Sequence, residues 1–220
     1  MLGFAESKVV IAPHVFRGFE YKPMIEEIRG DLPDLAHAFY IDGEGADDFA
    51  TALLSEPLEE GASADATLAA RRPAPNDVNE VIYTSGTTGQ PKGVMHTANS
   101  TLGHLSAWIE HLGLNSGDKI FMASPLAHQT GFLYAIVQPI MLGIEVVLLD
   151  RWSAPVGVEL MQKHGCTFTM GATPFLNDIV EMPNAGDFDL SKLHTFASAG
   201  APIPPALVQK AAANFSFKVL

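Results

Sequence analysis

Tyr83-Thr84-Ser85-Gly86-Thr87-Thr88-Gly89-Gln90-Pro91-Lys92-Gly93 sets small hydroxyl residues and two glycines directly ahead of a proline and a single lysine. The flanking Val81-Ile82-Tyr83 and Gly93-Val94-Met95 are β-prone, so the polar segment reads as a turn between two strands, its glycines free to adopt positive φ. Amide N–H groups of such a turn, with the hydroxyls of Thr84, Ser85, Thr87 and Thr88, can converge on phosphate oxygens as a nest. Lys92 adds a compact positive charge suited to the outermost phosphates. A Ser/Thr/Gly-rich hairpin loop without a ligand shares this composition. The residue order excludes two nucleotide motifs. Pro91 precedes Lys92 and Gly93 follows it, which is not Gly-Lys-Ser/Thr, and the chain nowhere spells G-x-G-x-x-G.

Working outward, Lys8 to Pro13 reads as a buried strand and Tyr21 to Gly30 as a helix carrying Met24, Ile25 and Ile28 at helical spacing. Ala38 to Ile41 reads as a second strand, and Asp47 to Leu54 as a short helix with an acidic cap. From Ser55 to Asn76 the composition shifts to Glu, Ala, Gly and Pro without periodicity, the pattern of a surface linker and boundary. Beyond the turn, Thr97 caps a helix whose Leu102, Leu105, Trp108, Ile109 and Leu112 form one apolar stripe. Strands over 120–123, 145–149, 167–170, 195–198 and 217–220 alternate with helices over 131–141, 153–164 (capped by Ser153), 175–181 and 204–213. That alternation predicts an α/β fold of β-α-β units, its largely parallel sheet covered by helices on both faces.

The 220 residues are 47% hydrophobic, ample for a packed core. Net charge is −12, and Glu20 to Asp65 holds 13 acidic against 2 basic residues, so the remainder is near balance. No basic face exists to neutralise a nucleic-acid backbone, which excludes nucleic acid as partner, and the acidic segment reads as a solvated surface. Cys166 stands alone, excluding an intrachain disulfide and matching a reducing cytoplasm. The eight histidines show no ligand spacing, so no protein-built metal site is expected. Asn99-Ser100-Thr101 and Asn214-Phe215-Ser216 fit a glycosylation sequon, but Met1 to Lys8 has no secretory apolar core, and both read as chance matches. The longest apolar run, Gly131 to Ile144, is broken by Gln138 and Pro139. It falls short of the ~20 residues of a membrane span and reads as a buried helix.

Two further segments sit where open α/β sheets place ligands. Ser124-Pro125-Leu126-Ala127-His128-Gln129-Thr130-Gly131 leaves a strand and opens a helix, and Ser198-Ala199-Gly200-Ala201-Pro202 is a strand end followed by a small-residue turn. Taken alone they are a helix start with a surface histidine and a tight β-α connection. No Gly-x-Ser-x-Gly occurs, which argues against a hydrolase.

Residues 83–92 resemble the signature of the adenylate-forming superfamily (acyl-CoA synthetases, aryl-CoA ligases, luciferases and peptide-synthetase adenylation domains): an aromatic, Thr-Ser-Gly-Thr-Thr-Gly, a variable residue, Pro and Lys. The Pro125-x-x-His128 segment, the lead-in Phe188-Asp189-Leu190-Ser191-Lys192-Leu193 and the Gly200-Ala201-Pro202 turn match further motifs in the family's order, so the resemblance covers nearly the whole chain. The spelling Pro-Leu-Ala-His-Gln-Thr-Gly looks most like CoA ligases for medium-chain or alicyclic acids such as cyclohexanecarboxylate.

The resemblance implies ATP, Mg²⁺ and CoA as the small molecules used, with a carboxylic acid as substrate. It casts Thr84, Ser85, Gly86, Thr87, Thr88, Gly89 and Lys92 as phosphate ligands and Gly200, Ala201 and Pro202 as the adenine and ribose contact. His128, Gln129, Thr130 and Gly131 would border the acid, and Lys92, Thr88 and His128 would stand closest to the chemistry. It further implies an incomplete portion of the family's large N-terminal domain, divided into 1–76 and 77–220, without the C-terminal catalytic-lysine domain. Such a piece is expected to be inactive alone and to self-associate through open sheet edges. A non-catalytic nucleotide-binding or interaction module is the competing reading.

Overall fold

The computed structural model describes residues 1–57, 59–84, 89 and 91–220. Two compact units emerge: Met1–Ala74 with Tyr83–Lys92, and Pro75–Ile82 with Gly93–Leu220.

In the first unit β1 (Val9–Pro13) pairs in parallel with β4 (His37–Ile41), Val9 opposite His37. Between them run β2 (Val15–Phe16), β3 (Phe19–Glu20) and α1 (Tyr21–Ile28). The β2–β3 hairpin escapes sequence reading because each strand is two residues long; its turn is made by Arg17 and Gly18, both at positive φ (56° and 79°), the geometry that matches strand twist in a two-residue loop. Ile25, Leu35, Ala38, Tyr40 and Ala12 form a small core. α2 (Phe49–Leu53) is capped by Asp48, whose carboxylate accepts the Thr51 N–H at 2.7 Å. α3 (Ala62–Ala70) lies inside the segment expected to be linker. Its run Ala-Ser-Ala-Asp-Ala-Thr-Leu-Ala-Ala is a strong helix former, yet it offers no apolar face for a periodicity search to find.

β5 (Val78–Thr84) and β6 (Lys92–Thr97), on either side of the glycine-rich segment, pair as a two-stranded sheet. Thr97 then opens α4 (Ala98–Leu112) with a reciprocal capping box: its hydroxyl accepts the Ser100 N–H while the Ser100 hydroxyl accepts the Thr97 N–H. Leu105 is fully buried on this helix, whereas Leu102, expected in the same stripe, is 42% exposed.

The second unit is built on a five-stranded, wholly parallel sheet. From β7 (Ile120–Met122) the chain enters α5 (Gln129–Phe132), a π-helical turn over Leu133–Val137, and α6 (Gln138–Leu142), then β8 (Val146–Leu148). The apolar run is helical as expected and widened in its middle, but burial stops at Pro139: Ile140 and Met141 are 76% and 39% exposed. There follow α7 (Ala154–His164), β9 (Phe168–Ala172), α8 (Thr173–Val180), β10 (Thr195–Ala199), α9 (Pro205–Asn214) and β11 (Lys218–Val219). Ser153 occupies the N-cap of α7, but its side chain makes no cap hydrogen bond; Pro155 at the helix start removes one amide donor the cap would serve.

Alternate residues feed opposite layers. Ile120, Met122, Phe168, Met170 and Ala197 pack with Leu105, Leu114, Leu133 and Tyr134 on one face. Phe121, Phe196 and Phe217 pack with Val158, Met161, Leu176, Ile179, Leu207 and Ala211 on the other. The polar Thr169 inside this sheet is satisfied, its hydroxyl donating to the Phe121 carbonyl at 2.9 Å. No described helix is long and apolar enough to cross a membrane.

Candidate functional site

The strand order β11-β10-β9-β7-β8 reverses direction at β7. The chain leaves β7 toward β8 on one side, and all later strands add on the other, beginning with β9. Open parallel sheets bind ligands in the crevice outside the carboxyl ends of their strands at such a reversal. A cavity of about 280 Å³ lies there, lined by Ser124, Pro125, His128 and Thr130 after β7, Met170, Gly171, Ala172 and Phe175 around the end of β9, and Ala199 and Gly200 at the end of β10.

His128 is the N-cap residue of α5. Its own N–H donates to the Pro125 carbonyl at 3.0 Å, and its Nδ1 accepts the Thr130 N–H at 3.1 Å. An imidazole nitrogen that accepts an amide proton carries none itself, so the neutral ring holds its proton on Nε2 as a donor. The histidine thus does two things: it caps a helix and presents an N–H beside the cavity.

Gly131 is buried beneath the same loop. A Cβ there would stand 2.2 Å from the Pro125 carbonyl oxygen, 2.6 Å from its carbon and 2.8 Å from the Ser124 oxygen, so only glycine lets α5 pass under the strand exit. Gly131 sets the floor of the loop and does not line the cavity. Gln129 is half-buried and also absent from the lining, with its amide oxygen buried and unpaired among the described residues. The four consecutive residues assigned together from sequence therefore divide: His128 and Thr130 line the cavity, Gln129 and Gly131 do not. Helical geometry separates neighbours by about 100°, which a motif spelling does not express.

The Ala199–Pro202 turn serves two cavities. Ala199 and Gly200 line the first, while Ala201 and Pro202 line a second of about 300 Å³ with Thr173, Pro174, Asn177, Asp178, Pro204 and Leu207. Gly200 sits at φ 84°, a backbone state that favours glycine. Thr173, which sequence reasoning passed over, is buried between strand end and turn; its hydroxyl donates to the Ala201 carbonyl at 3.2 Å and lies 3.4 Å from the Ser198 hydroxyl. Only its place directly after a strand could have marked it.

Of the glycine-rich segment read from sequence as a turn, Ser85, Gly86, Thr87, Thr88 and Gln90 lie outside the described residues. Thr84 ends β5 and Lys92 opens β6, both exposed. Gly89 has φ 84°, the positive value expected of a turn glycine. Tyr83 packs edge-on against Phe4 at 6.1 Å within the first unit.

At the opposite, amino edge of the large sheet, Asp118 Oδ1 accepts from the Thr167 hydroxyl (2.6 Å) and from His194 Nε2 (2.8 Å), and Oδ2 from the Asn115 N–H (2.8 Å). Burial opposes ionisation of this carboxyl, but the hydrogen bonds outweigh it and hold the group below the usual carboxylate range. Burial pushes the Cys166 thiol up to about 11, leaving it inert at neutral pH.

The family described as AMP-binding enzyme matches residues 1–220. The medium-chain fatty-acid–CoA ligase of Escherichia coli is 31% identical over 211 residues, which are 96% of this chain and 36% of that enzyme. A long-chain-fatty-acid–CoA ligase of Mycobacterium tuberculosis is 30% identical over 218 residues, 97% of this chain and 39% of that enzyme. The chain thus spans well under half the length of these curated relatives. Among solved structures, the anthranilate CoA ligase AuaEII in complex with anthranoyl-AMP aligns over 99% of this chain and 40% of its own, with TM-score 0.81 at 22% identity. The N-terminal domain of FACL13 from Mycobacterium tuberculosis aligns over 99% of this chain and 50% of its own, with TM-score 0.72 at 24% identity. At these identities the likeness shows a shared fold.

Proposed function

Because the chain belongs to the AMP-binding enzyme family, we propose that the complete polypeptide carrying it is an ATP-dependent acid–CoA ligase. In the first half-reaction a substrate carboxylate oxygen attacks the α-phosphorus of ATP and pyrophosphate leaves, giving an acyl-adenylate. In the second the CoA thiol attacks the acyl carbon and loses its proton, and AMP departs with the bonding pair to leave a thioester.

The observation that carries this reading is the 280 Å³ cavity at the sheet's reversal point, where His128 and Thr130 meet Gly200. Its lining suits a carboxylic acid with a hydrocarbon body: Met170, Phe175, Pro125 and Ala172 surround the apolar part, and the His128 Nε2–H serves the carboxylate as donor. Small residues at 199–202 allow a flat base to approach the backbone closely, and the second cavity beside Ala201 and Pro202 is the proposed adenine seat. The phosphate-facing role falls to Thr84–Lys92, with Lys92 neutralising the β- and γ-phosphates so that positioning and charge stabilisation supply the rate. The proposed Mg²⁺ would be held in part through the phosphate oxygens of ATP and would supply charge neutralisation there. A free, buried thiol at Cys166 is compatible with a reducing cytoplasm as the compartment. A medium-chain or alicyclic acid is the proposed substrate class.

Lys92→Ala in the complete polypeptide, followed by acid-dependent exchange of pyrophosphate into ATP and by AMP titration, tests the assignment. Exchange should fall on the order of a hundredfold, as for loss of one preorganised charge-stabilising group, with AMP affinity nearly unchanged. Equal losses for ATP and AMP would remove Lys92 from the phosphates, and no exchange with any acid in the unmodified protein would favour a non-catalytic module.

A further inference from the structure

We propose that Thr173 is a positioning residue for the nucleotide: its hydroxyl holds the Ala199–Pro202 turn in the shape that the base packs against. The inference rests on the adenine reading of that turn. Thr173 is the first residue of α8, directly after β9, and only 7% of it is exposed. A threonine at a helix start commonly spends its hydroxyl on its own helix. Here α8 has no side-chain cap, and the hydroxyl instead crosses to the neighbouring strand's exit. Having one proton, it gives it to the Ala201 carbonyl at 3.2 Å and is left to accept from the Ser198 hydroxyl at 3.4 Å. Both feet of the turn, either side of Gly200, are thereby tied to the end of β9.

The leading end of the turn is held by the sheet, with Ala199 of β10 opposite Ala172 of β9, but little else fixes the residues after it. Ala199, Gly200, Ala201 and Pro202 are all exposed, a Cβ on Gly200 would meet nothing within 4 Å, and among the described residues no other hydrogen bond reaches the Ala201 carbonyl. Thr173 also lines the cavity shared with Ala201 and Pro202. A turn without packing support that must present its backbone to a base needs an internal tether, and one buried hydroxyl supplies it.

The experiment uses the complete polypeptide. Thr173→Val keeps the volume and removes the hydroxyl, while Thr173→Ser keeps the hydroxyl. AMP affinity by calorimetry, KM for ATP, KM for the acid, kcat and thermal midpoint are measured for each. We expect Thr173→Val to weaken AMP and raise KM for ATP by about tenfold, with KM for the acid unchanged, and Thr173→Ser to stay within about twofold of the parent. Equal behaviour of Val and Ser, whether both intact or both impaired, would overturn the proposal, since the side chain would then act by packing alone. Should Thr173→Val fail to fold, Thr173→Cys, whose thiol is a weak donor, takes its place; AMP affinity equal to the parent's would overturn the proposal. Ala201→Phe, which fills the second cavity, separates the two levels. If it leaves AMP binding intact, the adenine reading falls and the tether with it; if it abolishes AMP binding while Thr173→Val does not, only the tether falls.

Discussion

Gly131→Ala is the sharpest perturbation this structure offers. The added Cβ would lie 2.2 Å from the Pro125 oxygen and 2.8 Å from the Ser124 oxygen. Both are backbone atoms, unable to swing aside as a side chain would. Restoring a tolerable contact requires a shift of about 1 Å between α5 and the 124–126 loop, an overpacking that costs about 1–3 kcal/mol or somewhat more. Against this runs the gain from replacing a helical glycine, about 1 kcal/mol. With contacts as short as 2.2 Å placing the cost at the upper end of that range, we expect net destabilisation of about 2 kcal/mol or somewhat more in urea denaturation of this chain.

In the complete polypeptide proposed above, the activity loss should be larger. Ser124, Pro125, His128 and Thr130 all line the 280 Å³ cavity, and a displacement of about 1 Å at reacting groups can cost about a hundredfold in rate. Gly103 in α4 is the internal control: it is exposed, and a Cβ there would meet nothing within 4 Å. Gly103→Ala should therefore stabilise by about 0.5–1 kcal/mol and leave turnover alone. If Gly131→Ala matches Gly103→Ala in sign and size, or leaves acid activation untouched, the steric reasoning is refuted.

His128→Asn keeps a side chain able to cap α5 while removing the Nε2–H. Stability should hold within about 0.5 kcal/mol while the adenylation rate or acid preference changes and AMP affinity does not; an unchanged acid profile and rate would leave His128 as a helix cap only. Asp118→Asn weakens the amino-edge cluster of Thr167, His194 and Asn115, for a loss of about 1–3 kcal/mol at pH 7. Because the folded carboxyl is held below its ordinary value of about 3.9, its contribution is present above that value and is lost as pH falls through the lower folded one. The difference between parent and variant should therefore shrink on acidification below pH ~4; a gap that stays constant would contradict the ionised, hydrogen-bonded state.

Much was legible in the residues themselves because it depends on local chemistry. The Thr97 cap and the alternation of strands and helices from 120 onward follow from short-range preferences, and the structure places them as expected. The family was readable from an ungapped ten-residue spelling at 83–92, and the match over 1–220 bears it out. Other features had no local signal. The Arg17-Gly18 hairpin has strands too short for a period, and α3 is an alanine-rich helix without a face.

Only tertiary structure decided which members of each motif share a cavity. The reversal of strand order at β7 is a property of pairing between segments some fifty residues apart (Ile120 opposite Phe168), and no window of sequence contains it. That reversal opens the cavity, and packing under the Pro125 carbonyl makes Gly131 structural while its neighbour Thr130 lines the site. The Thr173 tether likewise joins residues 28 positions apart. Short-range sterics and hydrogen bonding are written along the chain; which strand ends meet is set by the burial of the whole sheet between its two helical layers, a quantity summed over every residue at once.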